Sequence, residues 1–554
     1  MSFHTEQWAD GVLLAAFVVA TLIALARGRR AGAWRAQKRV ILATIALSIG
    51  TLVVRLALCA PTFLHANFRG LRIVDQIIGF PHANENLENY GQLAFLVLGL
   101  IAKVFGPSLR TIATTNVVCG VATLALAGWC AARWTGRAWC APLVVLVGAL
   151  QPALIRVASS EDVHGLAVLF GWVSLVAIDV YATARDRAAL ATGVLAAVLM
   201  VFTRQTLYVW ALAVVGMAIA RGGWAILRRN EFRVGTVVIL AAVAFRVVTT
   251  LRDEPVQIVL PAIMFTSGGM LVDLVRFHPI FDVTRFALLL LPLEILGVVA
   301  IVRSSPVWRG YLVFLFAVFV ITLPFGFPGP GVECSFRLPV VSLALVAAAA
   351  GAEHLVRAGW ASRALLLAAV LSPIALPTWA MLRERSAPLQ EYEYILAAAR
   401  LLPERAVWVD IRAHEPMPGY RIPNHALHVE GRRVWRFAVN EIRPEDRAGP
   451  MFFLAGVQCR GRSVAELSGF DFTHATLAEL AEFFRAPVAH RVFRDVVAES
   501  TIRAECEALL EHAEPVGPPL IIEHPISENP FVLYGDAPIV VQLMRIPPSE
   551  PPSP

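Results

Sequence analysis

Long apolar runs, almost free of charge, recur along this chain, and they limit its fold more than any other feature. "GVLLAAFVVATLIALA" is the first of them. About 20 such residues rise far enough to cross the roughly 30 Å hydrocarbon core of a bilayer. No soluble core buries a dozen stretches of this kind. Over 554 residues the chain is 57% hydrophobic and only 16% charged, which removes the ordinary soluble globular class. It reads as a polytopic membrane protein, mainly α-helical.

Candidate spans lie near 11–26, 40–60, 110–131, 138–156, 163–183, 188–203, 205–220, 234–251, 283–302, 310–326, 337–355 and 363–382, about 12 in all. Lys38 and Lys103 are the only lysines, so arginine carries the net charge of +7. Loop arginines at a membrane face explain that balance without nucleic acid as a partner. Arg27, Arg29, Arg30, Arg35, Lys38 and Arg39 fill the first connection. Later basic connections hold Arg133 and Arg137, Arg185 and Arg187, then Arg228, Arg229 and Arg233. Arg303 and Arg309, then Arg357 and Arg363, follow. All fall on one side if the segment near 92–105, interrupted by Lys103, lies in the interface instead of crossing. The positive-inside rule makes that side cytoplasmic, with both termini outside.

From about residue 385 the spans stop and charge rises. "AVWVDI", "MFFLAGVQC" and "IVVQLMRI" read as strands, and "ATLAELAEFF" as a short helix with Thr473 or Thr476 near its start. The expected organisation is a first helix with its basic loop (1–39), a transmembrane domain (40–384) with an acidic outer loop at 61–91, and an extracytoplasmic soluble α/β domain (385–554). The tail "PPSEPPSP" reads as disordered. The first apolar run lacks the basic flank and cleavage site of a signal peptide. Of the seven cysteines, Cys59, Cys119, Cys130, Cys140 and Cys334 lie in or near spans and read as packing residues. Cys459 and Cys506, in the outer domain, are free to pair or not in an oxidising compartment. The chain contains no C-x-x-C, H-E-x-x-H, P-loop or G-x-S-x-G pattern.

Acidic residues gather on the outer side. The first outer loop carries Asp75, His82, Glu85, Glu88 and Tyr90. "VASSEDVHG" places Glu161, Asp162 and His164 in a very short outer connection. Carboxylates at the mouth of a bundle are costly unless solvated or paired. Capping a helix is the plainer role for Glu161 and Asp162. For His65, Arg69, His82 and His164 the plainer role is solvation in a loop. Glu294, inside "LLPLEILGV", either pairs with an arginine or lines a lipid groove.

The order of span, acidic outer loop, interfacial helix ending in "VFG", span, basic turn, span, short acidic loop and span resembles the GT-C superfamily of membrane glycosyltransferases. Within it the closest likeness is to the protein-mannosyltransferase and aminoarabinose-transferase branch. "VDQIIGF" resembles the first-loop Asp-Glu motif of that branch, with Gln76 in place of Glu. "ENYGQLAFLVLGLIAKVFG" resembles a stretch that usually begins His-Pro-Pro, here Glu88-Asn89-Tyr90. "IRVASSEDVHGLAVLFGWVSL" resembles the second acidic motif, and "VLMVFTRQTLYVWAL" the Leu-Thr-Arg/Lys turn. "CSFRLPVVSLALVAAAAG" resembles the late Arg-Tyr-x-x-Pro motif, with Phe336 and Arg337 in altered order. The likeness covers 40–220 well and 283–382 loosely, and it does not reach the C-terminal domain.

The resemblance implies an enzyme that moves a sugar from a polyprenyl-phosphate donor to a lipid, glycan or protein acceptor, with inversion. It implies the inner membrane of a bacterium, with the active site outside the cytoplasm and membrane lipids as neighbours. Such chemistry needs a base for the acceptor hydroxyl and cations for the departing phosphate. Asp75 fits the base. Glu161 and Asp162 would orient the acceptor or hold a divalent cation, the one cofactor the pattern leaves room for. Arg337 and Arg204 fit the donor phosphate, since a guanidinium binds phosphate oxygens in pairs; snorkelling is their plainer role. Tyr90 stands with the donor-side residues, and His82, Glu85, Glu88 and His164 with the acceptor or loop side. Two other classes stay open: a transporter or lipid flippase, and a non-catalytic relative with a structural role.

Overall fold

The computed structural model describes residues 3–30, 38–58, 92–160, 163–204, 207–253, 332–359, 387–403, 406–409, 435–436, 449–456, 506–523 and 538–547. Single positions between 296 and 314, and 363, 367 and 385, are also described. The predicted spans at 283–302, 310–326 and 363–382 lie almost wholly outside the described residues.

The described part is mainly helical. Its long helices are α1 (Phe3–Arg30), α2 (Lys38–Leu58), α3 (Gln92–Phe105), α4 (Leu109–Thr135), α5 (Cys140–Ala149) and α6 (Pro152–Ala158). They continue with α7 (His164–Ala184), α8 (Arg187–Thr203), α9 (Tyr208–Gly222), α10 (Asn230–Asp253) and α11 (Val332–Ala358). Among the described residues, five helices are long and apolar enough to cross a membrane: α1, α2, α4, α7 and α10. Local chemistry sets the ends. Ser108 caps α4 by accepting from the Thr111 N–H at 3.2 Å. Gly136, at φ 68°, ends it in the left-handed conformation that a side chain resists. Asp186 caps α8 through the Ala188 N–H.

The span expected at 138–156 is broken in two. Pro152 lacks an N–H and opens α6, so the chain cannot continue straight from α5. The break interrupts the helical hydrogen-bond ladder inside the bundle, where carbonyls short of donors cost free energy. Arg55 of α2 supplies further donors there. Its Nη2 donates to Gly148 O at 3.1 Å and Ala149 O at 3.3 Å, and its Nη1 to Leu154 O at 3.4 Å. Arg55 is only 2% exposed. α5 approaches α4 closely, and a Cβ at Gly128 would stand 2.7 Å from Ala141 O.

The bundle core is aromatic, and its two central indoles both have acceptors. Trp172 Nε1 donates to Ser342 Oγ at 2.9 Å, and Trp210 Nε1 to Gly171 O at 3.2 Å. The two indoles meet edge to face at 5.9 Å. α1, α2 and α10 expose valines, leucines and isoleucines outward, as helices facing lipid do.

Ion pairs gather one set of helix ends. Arg27 meets Asp186 at 3.1 Å, Arg133 and Arg221 share Asp179, and Arg137 and Arg357 share Glu353. This is the arginine-rich end. At the opposite end, α3 buries Leu93, Ala94, Leu98 and Ala102 while Leu100, Val104 and Phe105 stay exposed. At 14 residues it is about 21 Å long, short of the hydrocarbon core.

The C-terminal part has α12 (Ala387–Ala398) and strands β1 (Val407–Val409), β2 (Trp435–Arg436), β3 (Met451–Ala455), β4 (Glu514–Ile522) and β5 (Ile539–Ile546). They form a five-stranded mixed sheet in the order β2-β1-β3-β5-β4. β1 pairs parallel with β2 and β3, whereas β5 pairs antiparallel with β3 and β4. The helix read in "ATLAELAEFF" lies outside the described residues. One apolar cluster joins Leu389, Tyr392, Trp408, Phe452 and Leu543 to Ala94 and Leu98 of α3, Leu109 and Ile112 of α4, and Val163. The sheet domain is therefore seated on the end of the bundle opposite the arginines.

Candidate active site

Two residues chosen from separate sequence motifs meet at that end. Arg204 follows the last turn of α8 and His164 opens α7. Arg204 Nε donates to His164 Nε2 at 3.0 Å, with both side chains 1% exposed. A guanidinium can only donate, so His164 Nε2 is a lone-pair acceptor.

The connection before His164 is fixed from α4. Asn116 Nδ2 donates to Ser160 O at 2.8 Å, and Asn116 and Ser160 are fully buried. Ser159 and Ser160 turn their hydroxyls back to Ile155 O and Val157 O, each at 2.8 Å. Gly165 lets Asn116 approach, since a Cβ there would lie 3.2 Å from Asn116 Oδ1. Val163 belongs to the core shared with the sheet domain. Both flanks of the Glu161–Asp162 pair are thus held, while the pair itself lies outside the described residues.

Arg337 sits on α11 at the same end. Trp172 of α7 bonds Ser342 of α11, which aligns the two helices. His164 lies eight residues before Trp172, about 12 Å along its axis, and Arg337 five residues before Ser342, about 7.5 Å. Both helices run towards the arginine-rich end, so both residues lie on the far side from it. Asp75, Gln76, His82, Glu85, Glu88 and Tyr90 fall outside the described residues, as do His65, Arg69 and Glu294. So do the residues that could hold a divalent cation. Among the described residues, no three His, Cys, Asp or Glu side chains cluster as a metal site. Cys506 is buried and disulfide-bonded, and Cys459 lies outside the described residues. Cys119, Cys130 and Cys140 are free and buried.

The sequence reading passed over Asn116, Arg55 and Asp179. Arg55 and Asp179 are lone charged residues in apolar runs, "TLVVRLAL" and "VAIDVYA", and Asn116 follows two threonines at the head of one, "TTNVVCG". That pattern alone marks a residue whose burial must be compensated.

No protein-family model matches the chain, and no curated protein matches it. Two solved structures of ArnT from Cupriavidus metallidurans are similar in course. One, in the apo state, has a TM-score of 0.46 and 14% identity over 76% of this chain and 93% of that chain. The other, bound to undecaprenyl phosphate, has a TM-score of 0.46 and 13% identity over the same shares.

Proposed function

We propose that this integral membrane protein is a glycosyltransferase. It moves a sugar from a polyprenyl-phosphate donor to an acceptor at the end of the bundle that carries α3, the 158–164 connection and the sheet domain. The observation that carries the reading is the meeting of His164 and Arg204, drawn from the second acidic motif and the Leu-Thr-Arg/Lys turn. Arg337 lies towards the same end.

Asp75 takes the proton from the acceptor hydroxyl as that oxygen attacks the anomeric carbon. Arg337 receives the departing phosphate, and Arg204 adds a second cation beside it. The bond to His164 fixes the plane of the Arg204 guanidinium. Glu161 and Asp162, on a connection held at both flanks, orient the acceptor. Tyr90 is assigned to the donor, and His82, Glu85 and Glu88 to the acceptor. The arginine-rich end faces the cytoplasm by the positive-inside rule. The site and residues 385–554 then lie outside, in a bacterial inner membrane.

Turnover of a labelled polyprenyl-phosphate sugar by the purified chain tests this. Label should pass to acceptor with release of polyprenyl phosphate. The α5–α6 break favours a second reading, since broken helices inside a bundle are a transporter feature. A flippase would move donor across a vesicle membrane and leave the sugar on it. No transfer with any of a panel of donors and acceptors would sink the enzyme reading.

An outside location also favours Cys459 as the partner of Cys506. Non-reducing peptide mapping should find the two in one linked species. A linkage of Cys506 to any other cysteine would refute the pairing.

A further inference from the structure

The turn between α9 and α10 carries features that sugar transfer does not use. Gly223, at φ 70°, turns the chain into a short 3-10 segment, Trp224–Arg228. Ile226 is fully buried and seats the segment on the bundle, yet Trp224 is 77% exposed. Around it stand Arg228, Arg229 and Arg233, all exposed. Arg233 Nε donates to Leu227 O and is tied to the segment. Behind them Arg185 lies against Gly222, and its buried Nη1 has no hydrogen-bond partner among the described residues.

Acid does not balance this rim. Glu231 faces Arg229 at 3.7 Å and accepts from the Tyr181 hydroxyl. Asp186 is taken by Arg27 and by the first turn of α8. Directly after Arg233 an apolar stripe begins on α10, with Val234, Val237, Val238, Phe245 and Val248 exposed. Within the first turns of α10 the exposed residues therefore change from Arg229 and Arg233 to Val234, Val237 and Val238, and the exposed Trp224 lies on the short segment to which Arg233 is bonded. Tryptophan prefers that depth in a membrane, and clustered arginines there attract anionic headgroups.

We propose that this turn is a binding site for an anionic phospholipid. Arg228, Arg229 and Arg233 hold the headgroup phosphate, Trp224 packs at the glycerol level, and the acyl chains lie along the α10 stripe. A general basic surface would attract the leaflet without a site; here the cations, the indole and the apolar stripe converge on one short segment.

The test uses the full chain in neutral detergent, titrated with phosphatidylglycerol or phosphatidylcholine and read by native mass spectrometry. Phosphatidylglycerol should bind in preference. Each basic residue near an anionic surface raises affinity roughly fivefold, so R228Q/R229Q/R233Q should lose roughly 100-fold. Trp224→Ala, a change on an exposed residue that leaves the core intact, should weaken binding less but measurably. Arg357→Gln removes an arginine from the same end that is already paired with Glu353, and should leave binding unchanged. The proposal is overturned if the triple variant binds normally, if Arg357→Gln costs as much, or if millimolar inorganic phosphate displaces the lipid. None of these results depends on sugar transfer.

Discussion

Asp75→Asn should lower donor turnover by about 100- to 10,000-fold, the span that general-base assistance supplies. The substitution keeps the side chain's shape and most of its hydrogen bonding but removes the proton acceptor. Donor binding should stay near wild type, because the phosphate is assigned to Arg337 and Arg204. Arg337→Ala should give the complementary result, with weaker donor binding as well as slower turnover. Asp162→Asn separates the two acidic clusters. If Asp162 only caps α7, its loss should cost about 1 kcal/mol of stability and little turnover. Donor consumption, product formation and a binding isotherm, measured together on the three variants, decide among these outcomes. Full activity in both Asp75→Asn and Asp162→Asn would remove both carboxylates from the mechanism. Loss in Asp162→Asn alone would exchange their roles.

The helices were legible because lipid enforces a simple pattern. A segment facing hydrocarbon must be apolar and must satisfy its own backbone, so α2, α4, α7, α8 and α9 match the spans read from the sequence to within a few residues. The break between α5 and α6 was missed because its apolar pattern is continuous through Leu150; only the pair Gln151-Pro152 marks it, and the Arg55 bonds there come from at least 93 residues away. Long-range pairs of that kind leave no local trace. The His164–Arg204 bond is similar: each residue was a candidate for its own motif, and only the packing of α7 beside α8 brings them within 3.0 Å. The strands at 451–455 and 539–546 were visible as alternating or continuous apolar runs, but their pairing order depends on distant partners. The seating of the sheet domain on α3 was not legible either, because the stripe Ala94, Leu98 and Ala102 reads equally well as a face turned to lipid.

Asp179→Ala should destabilise the bundle by about 3 kcal/mol, towards the low end expected when one partner of a buried ion pair is removed. Asp179 is 4% exposed, accepts from two side chains of α4 and forms an ion pair with Arg221 of α9. Arg133 Nε reaches Oδ2 at 2.5 Å; Trp134 Nε1 and Arg221 Nε reach Oδ1 at 3.1 and 3.2 Å. One carboxylate thus ties α4 and α9 to α7. Without it, two guanidinium groups face each other and an indole N–H loses its acceptor. The arginines are 32% and 25% exposed, so water recovers part of the loss and keeps the figure from the upper end. Glu353→Gln is the comparison. Its partners Arg137 and Arg357 are 52% and 62% exposed, and pairs of that kind are worth less than about 1 kcal/mol. Unfolding in detergent, followed by tryptophan fluorescence, should therefore rank Asp179→Ala far below Glu353→Gln. Replacing all three charges together, as Asp179→Leu with Arg133→Met and Arg221→Met, should regain much of the stability, because the cost arises from the uncompensated cations and not from the missing bonds. Equal effects of Asp179→Ala and Glu353→Gln, or no recovery in the triple replacement, would show that the carboxylate is not what holds these three helices together.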